Sequence, residues 1–190
     1  METLEKLFGG AGKLKVVKLF LFNPESSFDI NQVSTRAKVS RGVARREVRN
    51  LKAYGFLKSK KVLNKAQRYN LNQKFADLES LHNLLYASSV FKNEELLSFI
   101  SKILKPSLVI ISGIFTNQKD ARVDLFMVGE HIKESLIQEV IGNIESKIGK
   151  EINYVIFETS EFKYRLSVFD RLIRDVLDYP HIKLVNKLGI

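Results

Sequence analysis

The stretch Ser40 to Tyr54, S-R-G-V-A-R-R-E-V-R-N-L-K-A-Y, constrains the fold of this chain more than any other. It predicts a helix, with Ser40 suited to cap its start and Gly55 suited to stop it. At about 100° per residue, Ala44, Val48 and Leu51 fall on one narrow apolar face. Gly42, Arg45, Arg46 and Arg49 fall on the opposite side, with Arg41 and Lys52 at its edge. A helix that buries small aliphatic side chains and displays guanidinium groups suits a major groove walled by phosphates. An ordinary amphipathic helix with a solvated basic face carries the same pattern, so its neighbours decide between the two.

Those neighbours are short, punctuated and basic. Leu14–Phe22 is a strongly apolar helix candidate. Gly9, Gly10 and Gly12 ahead of it do not make a phosphate loop, because Gly12-Lys13 is followed by Leu14 rather than Ser or Thr; they predict a flexible lead-in. Asn23-Pro24 ends the helix, since proline disfavours helical geometry in the residue before it. Asp29 then caps a second short helix that buries Ile30, Val33 and Ala37. Lys38-Val39-Ser40 is a three-residue turn held by a buried Val39, and the arginine helix follows at once. The arrangement is a helix-turn-helix. After Gly55 the period becomes two. Phe56–Val62 reads as a strand, Asn64–Gln67 as a polar turn and Arg68–Leu71 as the returning strand. Lys58, Lys60, Lys61, Lys65 and Arg68 along this hairpin suit a solvated basic surface as well, but directly after a basic helix-turn-helix they are expected to form a second phosphate clamp.

Charge separates the halves. Residues 1–90 carry 17 Lys and Arg against 7 Asp and Glu, whereas residues 91–190 carry 14 of each, so the entire net charge of +10 lies in the half that contains the arginine helix. A polyanion partner is therefore expected for the first half alone. The 45% apolar and 27% charged composition excludes a mostly disordered chain. No apolar run approaches the roughly 20 residues that span a bilayer, and the first residues lack the pattern of a secretory leader. With no cysteine there is no disulfide or thiolate metal site. These features predict a cytoplasmic, nucleoid-associated protein with no membrane partner.

Phe75–Tyr86 reads as a connecting helix with Leu78, Leu81, Leu84 and Leu85 on its apolar side. Ala87-Ser88-Ser89 is the softest point that follows, giving expected domains at 1–87 and 88–190. The second half predicts a helix at Glu94–Leu104 capped by Asn93, then strands at Leu108–Phe115 and Arg122–Gly129. Helix Glu134–Gly149, strand Ile152–Phe157, a helical stretch Glu161–Leu177 and strand His181–Val185 complete an α/β layer of about four strands. His82, His131 and His181 have no partner at ligand spacing, so no metal or cofactor is expected. Phe157, Phe162, Tyr164 and Phe169 read as core.

The first region resembles the winged helix-turn-helix transcriptional regulators, the broad class that includes ArsR-like and MarR-like repressors. The likeness is carried by V-S-R-G-V-A-R-R-E-V-R-N-L-K-A-Y-G-F-L-K-S (Val39–Ser59) and R-Y-N-L (Arg68–Leu71), and spans about residues 3–75. It implies double-stranded DNA as partner and binding as a homodimer. Ser40, Arg41, Arg45, Arg46 and Arg49 would face the groove, and Arg36, Lys38, Lys60, Lys61, Lys65 and Arg68 would meet phosphates. The Leu14–Phe22 and Leu78–Tyr86 helices are candidate dimer surfaces.

The second region resembles the small nucleotidyltransferase domain of the DNA polymerase β-like superfamily, over about residues 93–190. The residues that carry this are S-G-I (Ser112–Ile114), R-V-D-L-F-M-V-G (Arg122–Gly129), I-N-Y-V-I-F-E-T-S-E-F-K-Y-R-L (Ile152–Leu166) and D-V-L-D-Y-P-H-I-K-L-V (Asp175–Val185). That family holds a triphosphate with Gly-Ser on one strand and Mg²⁺ with Asp-x-Asp on the next. Here the pairs read Gly113-Ile114 and Arg122-Val123-Asp124. A guanidinium stands where the first carboxylate belongs, and Arg122 and Asp124 are expected to neutralise one another. Asp120 is near but lies in the turn. The resemblance thus implies a catalytically degenerate domain with no catalytic or metal residues, kept for dimerisation, a partner protein or a ligand.

The expectation is an α+β protein: an N-terminal winged helix-turn-helix followed by a small nucleotidyltransferase-like α/β domain with a mixed sheet. Its expected role is sequence-specific DNA-binding regulation. Two alternatives stay open, an antitoxin-like interaction protein of a toxin–antitoxin pair and an active nucleotidyltransferase with the basic domain as its substrate grip.

Overall fold

A computed structural model describes residues 2–60, 66–89, 91, 93–118 and 121–190. Among them the chain is α+β, with nine α-helices, one 3₁₀ turn and two small sheets of three and four strands. It divides into two compact units, Met1–Val90 with Gly142–Glu151, and Phe91–Ile141 with Ile152–Ile190. The division falls just after the expected boundary at Ala87–Ser89. Residues 142–151, however, group with the first unit and not the second.

The first unit runs α1 (Glu2–Leu7), α2 (Ala11–Leu21), β1 (Ser27–Phe28), α3 (Ile30–Ala37), α4 (Arg41–Ala53), β2 (Leu57–Lys60), β3 (Arg68–Leu71) and α5 (Leu78–Ser89). Local chemistry sets the starts of α3 and α4. The Asp29 carboxylate accepts from Gln32 N at 2.9 Å while Gln32 Oε1 accepts from Asp29 N at 3.1 Å, a reciprocal capping box. Ser40 Oγ accepts from Val43 N at 3.3 Å, opening α4. Between them Lys38 takes a left-handed conformation (φ 47°), and Ser34 Oγ donates to Val39 O at 2.7 Å to hold the turn. One core joins Val17 and Phe20 of α2 to Val33 and Ala37 of α3 and to Ala44, Val48 and Leu51 of α4. Three short antiparallel strands in the order β1-β3-β2 flank these helices.

Several details depart from the sequence reading. The glycine-rich lead-in is preceded by a helix, α1, and Gly9 (φ 81°) and Gly10 (φ 124°) form the corner into α2. Val39 is half-buried, not buried. β1 is only two residues long, too short for a periodicity to register, yet it pairs Ser27 with Asn70 and Phe28 with Tyr69. α5 begins at Leu78, not Phe75, because Asp77 sits at φ 59° and cannot continue a right-handed helix. Lys61, Lys65 and the rest of the expected hairpin tip at 61–65 lie outside the described residues.

The second unit contains α6 (Asn93–Ile103), β4 (Lys105–Ile111), the 3₁₀ turn Gly113–Phe115 and β5 (Leu125–Glu130), followed by α7 (Glu134–Ile148), whose last residues, from Gly142, belong to the first unit. β6 (Tyr154–Glu158), α8 (Thr159–Ser167), α9 (Arg171–Asp178) and β7 (Ile182–Asn186) complete it. Its sheet is mixed, in the order β6-β5-β4-β7, with β4 antiparallel to both neighbours and β5 parallel to β6. Leu108, Ile110, Phe126 and Val128 on one face pack with Phe157, Phe162, Ile173 and Val176. Val109, Leu125 and Met127 on the other face are buried too. A sheet covered on both sides explains why β4 and β5 read as continuous apolar runs.

Three expectations about this unit change. Pro106 lies inside β4 at a register shift, where a missing N–H is tolerated, and does not introduce the strand. β5 starts at Leu125, so Arg122 and Asp124 precede it and do not share its face. The helical stretch 161–177 is two helices, broken where Phe169 takes φ 57° and Asp170 accepts from Leu172 N and Ile173 N to cap α9. Among the described residues no helix is long and apolar enough to cross a membrane.

Candidate nucleic-acid interface

α4 buries Ala44, Val48 and Leu51 and exposes Arg41, Gly42, Arg45, Arg46, Arg49 and Lys52. A fourth buried residue, Glu47, escaped the sequence reading. A charged residue in a basic run reads as solvated, yet Glu47 is only 5% exposed. An unpaired buried carboxylate is costly. Arg46 Nε lies 2.8 Å from Glu47 Oε1, so one arginine of the basic face is drawn back along the helix.

The other expected contacts divide into free and committed groups. Arg41, Arg45, Arg49 and Lys52 form no ion pair with any other described residue, and Lys58 and Lys60 stand exposed on β2. Ser40 spends its hydroxyl as an acceptor on the helix cap. Arg36 pairs with Glu151 at 2.7 Å and lies over the Phe28 ring at 5.2 Å. Lys38 Nζ donates to Asn143 Oδ1 at 3.0 Å. Arg68 Nε donates to Ser27 Oγ at 2.8 Å and its Nη2 to Ser27 O, tying β3 to β1. The likeness that set Arg36, Lys38 and Arg68 against phosphates could not show these partners, because each lies far along the chain.

Two of those partners come from residues 142–151. Gly149 (φ 92°) comes so close to α2 that a Cβ there would sit 2.7 Å from the carbonyl carbon and from Cβ of Lys18. Asn23 Nδ2 donates to Leu19 O and Gly149 O, each at 2.7 Å. Lys18 is 1% exposed, and its Nζ donates to Lys147 O at 3.2 Å. That carbonyl lies in the last turn of α7, where unpaired backbone oxygens favour a cation. Burial nevertheless pushes the Lys18 ammonium down to about 8, with Glu5 opposing the shift and Lys147 adding to it. Lys15 is lowered as well, first by burial and then by Lys147.

In the second unit Gly113, Ile114 and Asp124, three of the residues that carry the expected likeness, are held by one another. Asp124 is 8% exposed. Its Oδ1 accepts from Ile114 N at 2.8 Å and its Oδ2 from Asn153 N at 2.7 Å. Ser112 Oγ donates to Val123 O, and a Cβ on Gly113 (φ 54°) would sit 2.1 Å from Asp124 Oδ1. The carboxylate is therefore a staple between the 3₁₀ turn and the start of β6. Arg122 does not neutralise Asp124; it pairs with Asp175 of α9 at 2.8 Å. No three His, Cys, Asp or Glu side chains among the described residues could hold a metal ion together. Asp120 lies outside those residues. Of the aromatic residues read as core, Phe157 and Phe162 are buried, but Tyr164 and Phe169 are 69% and 78% exposed. His82 stacks on Tyr86 at 6.1 Å between ring centroids, a packing role.

Comparisons with protein families, with curated proteins and with solved structures found no match to this chain.

Proposed function

We propose that this chain is a sequence-specific double-stranded DNA-binding regulator that acts as a homodimer. In this reading the first unit is a winged helix-turn-helix, and the second is a nucleotidyltransferase-like domain without nucleotidyl transfer. One observation carries the proposal. α4 presents a row of guanidinium groups to solvent while its aliphatic face is anchored in the core, and it follows α3 after a three-residue connection. The β2–β3 hairpin beside it adds Lys58 and Lys60. In such an arrangement the exposed helix enters the major groove and the hairpin lies along the backbone. Most affinity then comes from phosphate neutralisation and falls steeply with salt.

The second unit supports the non-catalytic part of the reading. Mg²⁺-assisted phosphoryl transfer needs carboxylate oxygens open to the ion. Both oxygens of Asp124 are engaged by backbone N–H groups, and Arg122 is engaged by Asp175.

The test is fluorescence anisotropy with random-sequence duplex DNA, titrated between about 50 and 200 mM salt. Wild type should lose affinity steeply across that range. Arg45→Ala/Arg49→Ala should bind more weakly. A flat salt response, or a double variant that binds like wild type, would sink the proposal.

A further inference from the structure

The cationic face of α4 is not uniform, and its unevenness separates the arginines by role. Arg46 is drawn back to the buried Glu47. Arg45 and Arg49 lie one turn apart, about 6 Å along the axis. Both are exposed, and neither forms an ion pair with a described residue. Gly42 precedes them at i−3 and i−7, so the three positions form one stripe along the helix.

Gly42 is the informative member of that stripe. Glycine in an exposed helix is less favourable than alanine. Among the described residues nothing requires it at this position: the nearest atom to a Cβ there is Ser40 Oγ at 4.0 Å, and its φ is not in the left-handed range. A position that forgoes a side chain in open space on a binding face suits close approach by something outside the chain. In the first turn of a helix entering the major groove, that something is the edge of a base pair.

We infer that Arg45 and Arg49 are the base-reading pair of α4, each directed at a guanine, and that Gly42 lets the start of the helix come close enough for both to reach. Arg41 and Lys52, which form no ion pair with a described residue, then hold the sugar-phosphate walls. The inference rests on the DNA-binding reading above. A guanidinium fork matches O6 and N7 of guanine, and the wrong base at such a position costs roughly 5- to 150-fold in affinity. A separation of about 6 Å along the helix corresponds to guanines no more than about two base pairs apart.

The test is selection of bound duplexes from a random pool with wild type, Arg45→Ala, Arg49→Ala, Arg46→Ala/Glu47→Gln and Gly42→Leu. The paired change at 46 and 47 avoids leaving a buried carboxylate alone, and each variant's melting temperature reports folding. Wild type should enrich a motif with two G·C pairs at fixed close spacing. Arg45→Ala should lose the preference at one of them and Arg49→Ala at the other. Arg46→Ala/Glu47→Gln, which removes a paired arginine and its carboxylate together, should leave both motif positions unchanged. Gly42→Leu should melt no lower than wild type yet bind the motif at least 10-fold more weakly.

The inference is overturned if the motif lacks guanine, if Arg45→Ala and Arg49→Ala weaken all sequences equally, if the paired 46/47 change relaxes a motif position, or if Gly42→Leu binds normally. Salt-dependent duplex binding without any enriched motif overturns this inference and leaves DNA binding standing. Absence of duplex binding overturns both.

Discussion

Replacing Asp124 by asparagine tests whether that carboxylate is a structural staple or a surviving metal ligand. In the folded protein its two oxygens accept from Ile114 N at 2.8 Å and Asn153 N at 2.7 Å, in a site only 8% exposed. Asparagine keeps one acceptor and turns an amide NH₂ toward the other backbone donor. One buried N–H is left unsatisfied, at about 1–3 kcal/mol, and the remaining hydrogen bond loses its charge assistance, about 1 kcal/mol more. The combined loss is about 2–4 kcal/mol, which is roughly 30- to 1000-fold in an opening equilibrium. Amide hydrogen exchange of the intact protein reads this directly. Peptides from β4, β5 and β6 should exchange faster by that factor, while α2–α4 stay unchanged. Mg²⁺ should leave the wild-type pattern unaltered. A change below about threefold would refute the staple, because then the two N–H contacts carry no net stability. Protection by Mg²⁺ in wild type, lost in the variant, would instead restore a metal-binding role.

Gly149→Ala should destabilise the first unit by roughly 2–4 kcal/mol, since its Cβ would meet the Lys18 backbone and its φ of 92° disfavours any side chain; a urea midpoint unchanged from wild type would count against that contact. Lys18 has a folded pKa near 8, below its ordinary 10.5, so the unfolded chain holds more protons between those values. Stability of the first unit should therefore rise with pH from about 8 to 10.5. Lys18→Met should flatten that rise in urea midpoints taken across the window, and an unaltered slope would argue that Lys18 is not the group responsible. Asp29→Ala removes the capping box of α3 and should cost about 1 kcal/mol in denaturant unfolding, with no measurable loss excluding the cap as a determinant of α3.

Much of the candidate site was legible because its signals are local. Asp29 and Ser40 cap helices through hydrogen bonds three residues long, and the spacing of Ala44, Val48 and Leu51 requires only a helix and a core on one side. Glu47 shows where this logic stops. Its angular position lies at the edge of the apolar face, and whether a carboxylate there is solvated or enclosed depends on how tightly α4 is packed, which no local pattern encodes. The strand expected to hold Arg122 and Asp124 was misplaced for a related reason. Val123 and Asp124 continue an apolar-rich run, but β5 begins only at Leu125, and the Asp124 carboxylate accepts from the backbone N–H groups of Ile114 and Asn153, residues 10 and 29 positions away.

The chain's own residues determined the order of α2, α3, α4 and the hairpin after them, the cationic face of α4 and the concentration of net charge in residues 1–90, because each follows from neighbours within a few positions. Tertiary structure alone decided which cations are available. Arg36, Lys38, Arg46 and Arg68 are drawn to Glu151, Asn143, Glu47 and Ser27, while Arg41, Arg45 and Arg49 are not. Three of those four partners lie tens of residues or more along the chain. The fourth, Glu47, is adjacent, but only the packing around it makes its charge demand a partner.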